Sequence, residues 1–224
     1  MNSEIETYYN ELASNYDNSR FANTYGQFID GQEQLILSDL LKNTESLQVI
    51  ELGCGTGRFL DHAETGIDIS ENMIGESLKK FPDKQLFIES ANNTHFKDNS
   101  FEAAYSFHVF MHLDKEMILN ILSEAHRILK KGGNFIFDIP SAKRRKLVNY
   151  KSDGWHGATS YSISEVKDLL GDNWTLNYSR GILFFPIHRF PKAIRSIIFK
   201  LDVLLCNSIL KEYCSYLVLE LVKK

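Results

Sequence analysis

The chain has 224 residues with 25 Lys+Arg, 29 Asp+Glu, 13 Gly, 4 Pro and 3 Cys, for a net charge of −4. That length is one soluble domain's worth, long enough to bury a full core without covalent staples. Hydrophobic content of 43% with 24% charged residues excludes wholesale disorder. The net negative charge argues against a nucleic-acid coat. Three scattered cysteines give no disulfide framework and point to a reducing, cytoplasmic compartment. The opening MNSEIETYYNELASNYDNS has no apolar core of a signal peptide, and no run reaches 18 uncharged apolar residues.

Charge is segregated along the chain. Residues 1–40 hold seven acids (Glu4, Glu6, Glu11, Asp17, Asp30, Glu33, Asp39) against the single base Arg20. Residues 142–151 and 180–200 hold five bases each and no acid. Both basic segments are read first as solvated faces. In 180–200 aromatics interleave the bases, which also suits an anionic or lipid partner.

The elements follow in chain order. Helical spacing over 3–16 carries Ile5, Tyr8, Tyr9, Leu12 and Tyr16. Gly26 is expected to break it before a second helix at about 28–42. LQVIEL (47–52) is a first strand ending at GCGTG, and RFLDHAE a short helix. TGIDIS is a second strand with Asp68 at its end, followed by a helix over 71–81 closed by Pro82. QLFIES (85–90) and FEAAYSF (101–107) are the third and fourth strands. Asp114 can N-cap a helix that stops at Gly132-Gly133, before a fifth strand at 134–140. Beyond it, Ser164 can cap a helix at about 165–171, 174–185 and 213–222 read as the last two strands, and 192–210 as an amphipathic helix. Strand–helix alternation at this spacing means crossover units and a mostly parallel α/β sheet with helices on both faces.

The chemistry concentrates at VIELGCGTGRF. Gly53, Gly55 and Gly57 stand between a strand and a helix, where bare backbone lets a ligand approach. Arg58 occupies the place where a dinucleotide fingerprint wants its third glycine, and no Gly-Lys-Ser/Thr follows. Asp68, 15 residues beyond Gly53, can accept hydrogen bonds from ribose hydroxyls, and Glu51 is positioned for a cationic ligand group.

VIELGCGTGRF, GIDISENMI and HRILKKGGNFIF together resemble the class I methyltransferases that use S-adenosylmethionine. The resemblance covers about residues 8–140 and leans to the small-molecule branch, similar to the ubiquinone/menaquinone methyltransferases. It implies a Rossmann-like seven-stranded sheet with an antiparallel last strand, S-adenosylmethionine as cofactor and S-adenosylhomocysteine as product. It also implies one domain over 1–224: a helical cap over 1–45, a cofactor half over 46–140, and a substrate half over 141–224 with an insertion at 180–210. By resemblance, Glu51, Gly53 and Gly55 hold the methionine end of the cofactor, with Cys54, a small residue beside the ligand, and Gly57 in the same cofactor-binding turn. Asp68 takes the ribose, Ile69 and Met73 flank the adenine, and Ala91 and Asn92 reach its edge. Ser106 and Phe107 face the sulfonium, and Tyr16 closes over it. The sequence departs from the family at Ser90, where an Asp is usual, and at His95, where a Pro is usual.

For catalysis, His108 and His112 follow the fourth strand, on the edge where open sheets bind ligands. A structural role competes for each. HVFMH has i, i+4 spacing but no third ligand beside it in the sequence, so no metal is expected. His156 and Tyr161 are further candidates in a loop. The cap and the 180–210 insertion are expected to roof the acceptor, a small molecule of lipophilic or anionic character, with peripheral lipid contact through 180–210 and no nucleic acid. Two other readings stand beside this one: a non-catalytic S-adenosylmethionine-binding partner subunit, and a nicotinamide-dependent dehydrogenase.

Overall fold

The computed structural model describes residues 2–152 and 154–224. Seven strands form one sheet: β1 (Val49–Leu52), β2 (Thr65–Asp68), β3 (Gln85–Ile88), β4 (Phe101–Ser106), β5 (Leu129–Pro140), β6 (Trp174–Ile182) and β7 (Tyr216–Lys223), in the order β3-β2-β1-β4-β5-β7-β6. The first five pair in parallel, and β7 runs antiparallel to both of its neighbours. The helices are α1 (Asn2–Leu12), α2 (Tyr16–Arg20), α3 (Thr24–Leu40), α4 (Glu71–Lys80), α5 (Lys115–Ile128), α6 (Ala142–Leu147), α7 (Ile163–Leu170) and α8 (Arg195–Cys206).

Both faces of the sheet are covered, so every residue of β1 is buried, Glu51 included. Alternate residues go to opposite cores. Ile50, Leu52, Phe135 and Phe137 pack with α5, α7 and Trp174 on one face. Val49, Tyr105, Ile136 and Val218 pack with Phe28, Ile36 and Leu37 of α3 on the other. Ser70 and Asp114 cap α4 and α5, each accepting from the backbone N–H three residues on.

Several boundaries differ from expectation. Gly26 does not break a helix but lies inside α3, which Asn23 caps by accepting from Tyr25 N and Gly26 N. A Cβ at Gly26 would sit 2.0 Å from the Arg20 carbonyl oxygen, so the glycine lets α2 and α3 meet. Residues 58–64 form only a 3-10 turn at Leu60–His62. The helix α5 stops at Ile128, and Gly132-Gly133 lies within the irregular start of β5. There a side chain on Gly133 would meet the Glu102 and Lys130 carbonyls at 2.8 Å. Ser162, not Ser164, caps α7, because Glu165 returns the bond and completes a capping box.

The 180–210 segment packs on the back of α3 rather than over a ligand site. Phe199 meets Phe28 edge-on at 5.1 Å. Asp202, fully buried, accepts from Gln32 Nε2 and from Phe185 N, both at 2.7 Å. Arg195 holds the Phe190 carbonyl at 3.0 Å and also Thr24. These bonds commit the insertion to sheet-edge packing. The basic α6 is likewise tied down: Lys143 pairs with Glu212 at 2.6 Å, and Arg145 donates to Thr159 O while lying over the Tyr150 ring.

Candidate functional site

The glycine turn after β1 is built by backbone. Gly53 N and Cys54 N both donate to Ile67 O at 2.8 Å, locking the turn onto β2. Gly53, Gly55 and Gly57 have φ of 82°, 52° and 81°, values that glycine alone adopts without strain. Asp68 closes the arrangement: its carboxylate accepts from Gly55 N at 2.8 Å and from Ser70 N at 2.9 Å. Burial raises the Asp68 carboxyl above its usual range, against the pull of those backbone donors.

A cavity of about 110 Å³ opens over this turn. Of the sequence-predicted residues, Tyr16, Gly53, Gly55, Asp68, Ile69, Met73, Ala91 and Phe107 line it, as do His108 and His112. Ser90 lines it with its hydroxyl turned to Asn92 Oδ1 at 2.5 Å. Glu89 is there too, its carboxylate engaged by His95. The wall fits a nucleoside thioether: bare backbone at Gly53 and Gly55, the Asp68 carboxylate and an apolar flank at Ile69 and Met73.

Five predicted residues lie outside the cavity lining. Glu51 is buried beneath the turn, 3.4 Å from the Tyr105 hydroxyl, and burial pushes its carboxyl well above the usual range. Cys54 packs against Gly66, where its Cβ joins Leu60 and Leu86 in filling the space a side chain would take. Gly57 leaves room for Ser77 and Phe81. Ser106 Oγ donates to Leu52 O at 2.7 Å, stitching β4 to β1, and Asn92 only receives the Ser90 hydroxyl. Ile5, Tyr9, Val109, Leu113, Met117 and Ile121 complete the wall. Tyr9 belongs to the cap expected to roof the pocket, whereas Ile5, its i, i+4 neighbour, was legible only as part of a helix face.

The N-terminal cap is fastened at two points. Asn10 Oδ1 accepts from Ser70 Oγ at 2.7 Å and Asn72 N at 3.2 Å, and Asn72 Nδ2 returns a bond to Asn10 O. Asp17 takes Thr56 Oγ1 at 2.6 Å and pairs with Lys80. Arg58 secures α3 to the turn: it reaches Asp30 at 2.8 Å and Glu33 at 2.7 Å, with its guanidinium over Phe21 and Phe59.

A second cavity of about 180 Å³ adjoins the first, walled by Arg20, Phe21, Tyr25, Met111, His156 and Tyr216 among others. Tyr9, Tyr16, His108 and His112 line both cavities. Among the described residues none of 180–210 lines either cavity, and of the two expected segments the N-terminal cap supplies the lining. Tyr161 is likewise in neither lining.

The two histidines differ in state. His112 Nδ1 accepts from Gly157 N at 3.2 Å, so Nε2 carries the proton and donates it to the Tyr9 hydroxyl at 2.9 Å. Burial and the neighbouring His156 lower its pKa to about 3. His112 therefore orients Tyr9 and is no free base. The unfolded chain takes up a proton here near pH 6.5 and the folded one only near 3, so stability falls as pH drops through that window. The slope reaches at most about 1.4 kcal/mol per pH unit. Acid unfolding followed by circular dichroism should be shallower in His112→Asn than in the wild type. Parallel curves would refute the neutral assignment.

His108 has φ +61° and is flanked by carboxylates: Nε2 lies 2.8 Å from Glu33 Oε1, and Nδ1 3.8 Å from Asp138 Oδ2. Burial pulls its pKa down, but Glu33 and Asp138 outweigh that and raise it. Burial pushes Asp138 up to about 6, and Glu33 is held low by His108 and Arg58 in spite of its burial.

Comparison with known proteins agrees with this geometry. Residues 50–137 match the model of the family described as a methyltransferase domain. An uncharacterised protein of Methanocaldococcus jannaschii is 29% identical over 205 residues, 86% of each chain. A ubiquinone/menaquinone biosynthesis C-methyltransferase of Brucella canis is 31% identical over 137 residues, 57% of this chain and 47% of that one. The chain thus spans about half the length of that relative. Magnesium protoporphyrin IX methyltransferase from Synechocystis, solved with bound S-adenosylhomocysteine, shares the fold with a TM-score of 0.68 at 15% identity, over 99% of each chain. Motifs, strand order and the match over residues 50–137 converge: the chain carries a methyltransferase domain of the S-adenosylmethionine-dependent kind.

Proposed function

We propose that this methyltransferase acts on a lipophilic acceptor bearing an anionic or hydroxyl group, held in the aromatic second cavity. The observation that carries the reading is the wall common to both cavities: Tyr9, Tyr16, His108 and His112 would stand between cofactor and acceptor. The cofactor supplies an electrophilic methyl on a sulfonium, whose transfer asks mainly for alignment and exclusion of water. Gly53 and Gly55 would admit the cofactor against bare backbone, Asp68 would take the ribose hydroxyls, and Ile69 and Met73 would flank the adenine. Tyr9, fixed by the His112 proton, keeps its own proton to donate to an acceptor oxygen. Arg20, the one base of the first 40 residues, lines the acceptor cavity and would attract an anion. The relative named for ubiquinone/menaquinone biosynthesis supports a lipophilic acceptor.

Among the described residues no helix is long and apolar enough to cross a membrane. A lipid surface is nevertheless within reach of α8. It exposes Ile197, Leu201 and Leu204 on one stripe, at 70, 47 and 66%, with Ile209 beyond it. Lys192 and Lys200 are exposed beside them. That combination suits shallow seating on an anionic bilayer from the cytoplasmic side, with acceptor taken from it. The test is S-adenosylhomocysteine release with quinol, phenolic-acid and fatty-acid-like acceptors, with and without anionic vesicles. Arg20→Gln should raise KM for the anionic acceptors severalfold and leave kcat nearly unchanged. Turnover on polar, uncharged acceptors alone would overturn the reading.

A further inference from the structure

Behind the wall that the two cavities share lies a buried cluster drawn from three elements: Glu33 in the middle of α3, His108 after β4, and Asp138 near the end of β5. One possible ligand atom from each lies within 4.8 Å of the others. Glu33 and Asp138 are 0 and 1% exposed. Glu33 Oε1, His108 Nε2 and Asp138 Oδ2 have no well-aligned hydrogen-bond partner among the described residues, although the first two are close enough to form an ion pair. The other carboxylate oxygens are occupied, Glu33 Oε2 by Arg58 at 2.7 Å and Asp138 Oδ1 by His108 N at 2.6 Å. Buried polar atoms are seldom left in this state without an ion or water to satisfy them.

The direction of the short contact is informative. Glu33 Oε1 and His108 Nε2 stand 2.8 Å apart, yet the ring N–H bond does not aim at the oxygen. An imidazolium gripped by a carboxylate would align that bond. Two atoms bound to one cation at about 2.1 Å, at right angles, stand about 3 Å apart with their lone pairs converging on a third point. The left-handed backbone at His108 is a second sign of a side chain held to a purpose, since such outliers gather at functional sites.

We propose that Glu33, His108 and Asp138 form a binding site for a divalent cation. Two hard carboxylates with one imidazole suit ions of the Mn²⁺ or Zn²⁺ kind. The charges then close: the cation balances Glu33 and Asp138, and Arg58 remains to balance Asp30. A histidine pair in HVFMH was the wrong place to look for the ligands along the sequence, because two of the three come from α3 and β5. His112 spends both its nitrogens on Gly157 and Tyr9.

Calorimetric titration of the full chain, stripped with chelator and free of cofactor, tests this with MnCl₂ and then ZnCl₂. One cation per chain is expected, with Glu33→Gln and Asp138→Asn each weakening it at least tenfold. Pulsed electron paramagnetic resonance of bound Mn²⁺ should show coupling to an imidazole nitrogen. That wild-type measurement decides the matter if the variants fail to fold. No stoichiometric uptake of either ion at millimolar concentration, no imidazole coupling, or equal affinity in folded variants would overturn the site and leave an ion triad. None of these readouts depends on methyl transfer.

Discussion

Asp68→Ala is expected to weaken S-adenosylmethionine binding at least tenfold, read by titration calorimetry. In the ligand-free geometry each oxygen of this carboxylate already holds a backbone N–H, one at the glycine turn and one at the start of α4. Asp68 also lines the cavity, and a carboxylate accepts more than these two bonds, which leaves capacity for ribose hydroxyls. Charge-assisted bonds of this kind contribute about 1.5–3 kcal/mol apiece, so losing even one accounts for a factor of ten. Asp68→Asn separates the two duties, because its amide keeps the shape but offers one acceptor oxygen in place of two. Affinity equal to wild type in a folded Asp68→Ala protein would show that the cofactor lies elsewhere.

The glycine turn gives a second large effect, with an internal contrast. A Cβ on Gly53 would come 2.4 Å from Val109 Cγ2 and also meets φ +82°, whereas a Cβ on Gly55, at φ +52°, meets nothing within 4 Å. Left-handed backbone costs a non-glycine residue about 1–2 kcal/mol, and the clash at Gly53 comes on top of it. Gly53→Ala should therefore lower the melting temperature by several degrees more than Gly55→Ala. Both should lose cofactor affinity, because each side chain enters the space over the turn. Adding Val109→Ala should recover the clash part of the Gly53→Ala loss and none of the backbone part. Equal melting temperatures for the two single variants would mean that Val109 simply moves aside.

How far the sequence foretold this molecule depends on the range of the interaction involved. The turn, the carboxylate at the tip of β2, and the cap Asp114 are local, and their residue types state their duty; Ser70, read as the end of a strand, caps α4 instead. Gly26 carried a local signal with a tertiary meaning: it was read as a break, and is a point of contact between two helices. Ser164 lost to Ser162 because the return bond from Glu165 decides between neighbouring serines. Glu33 looked like one more acid on an acidic front, and nothing in the fifth strand singled out Asp138. Only the packing of α3 across β4 and β5 brings both to His108. The 180–210 segment had the composition of a roof, and the buried Asp202–Gln32 bond assigns it to the far side of α3.

The double fastening of the N-terminal cap bears on the pace of the enzyme. Ile5, Tyr9 and Tyr16 form a wall of the cofactor cavity, and the Asn10 and Asp17 knots hold that wall shut from the two ends of one short stretch. A spent thioether leaving past this wall must wait for both latches to open together, a concerted event slower than either alone. If the used cofactor leaves by this route, its exit would set the tempo, as in many enzymes whose lids gate release. The latch residues Asn10, Asp17, Thr56 and Lys80 would become rate-determining without touching a reacting atom.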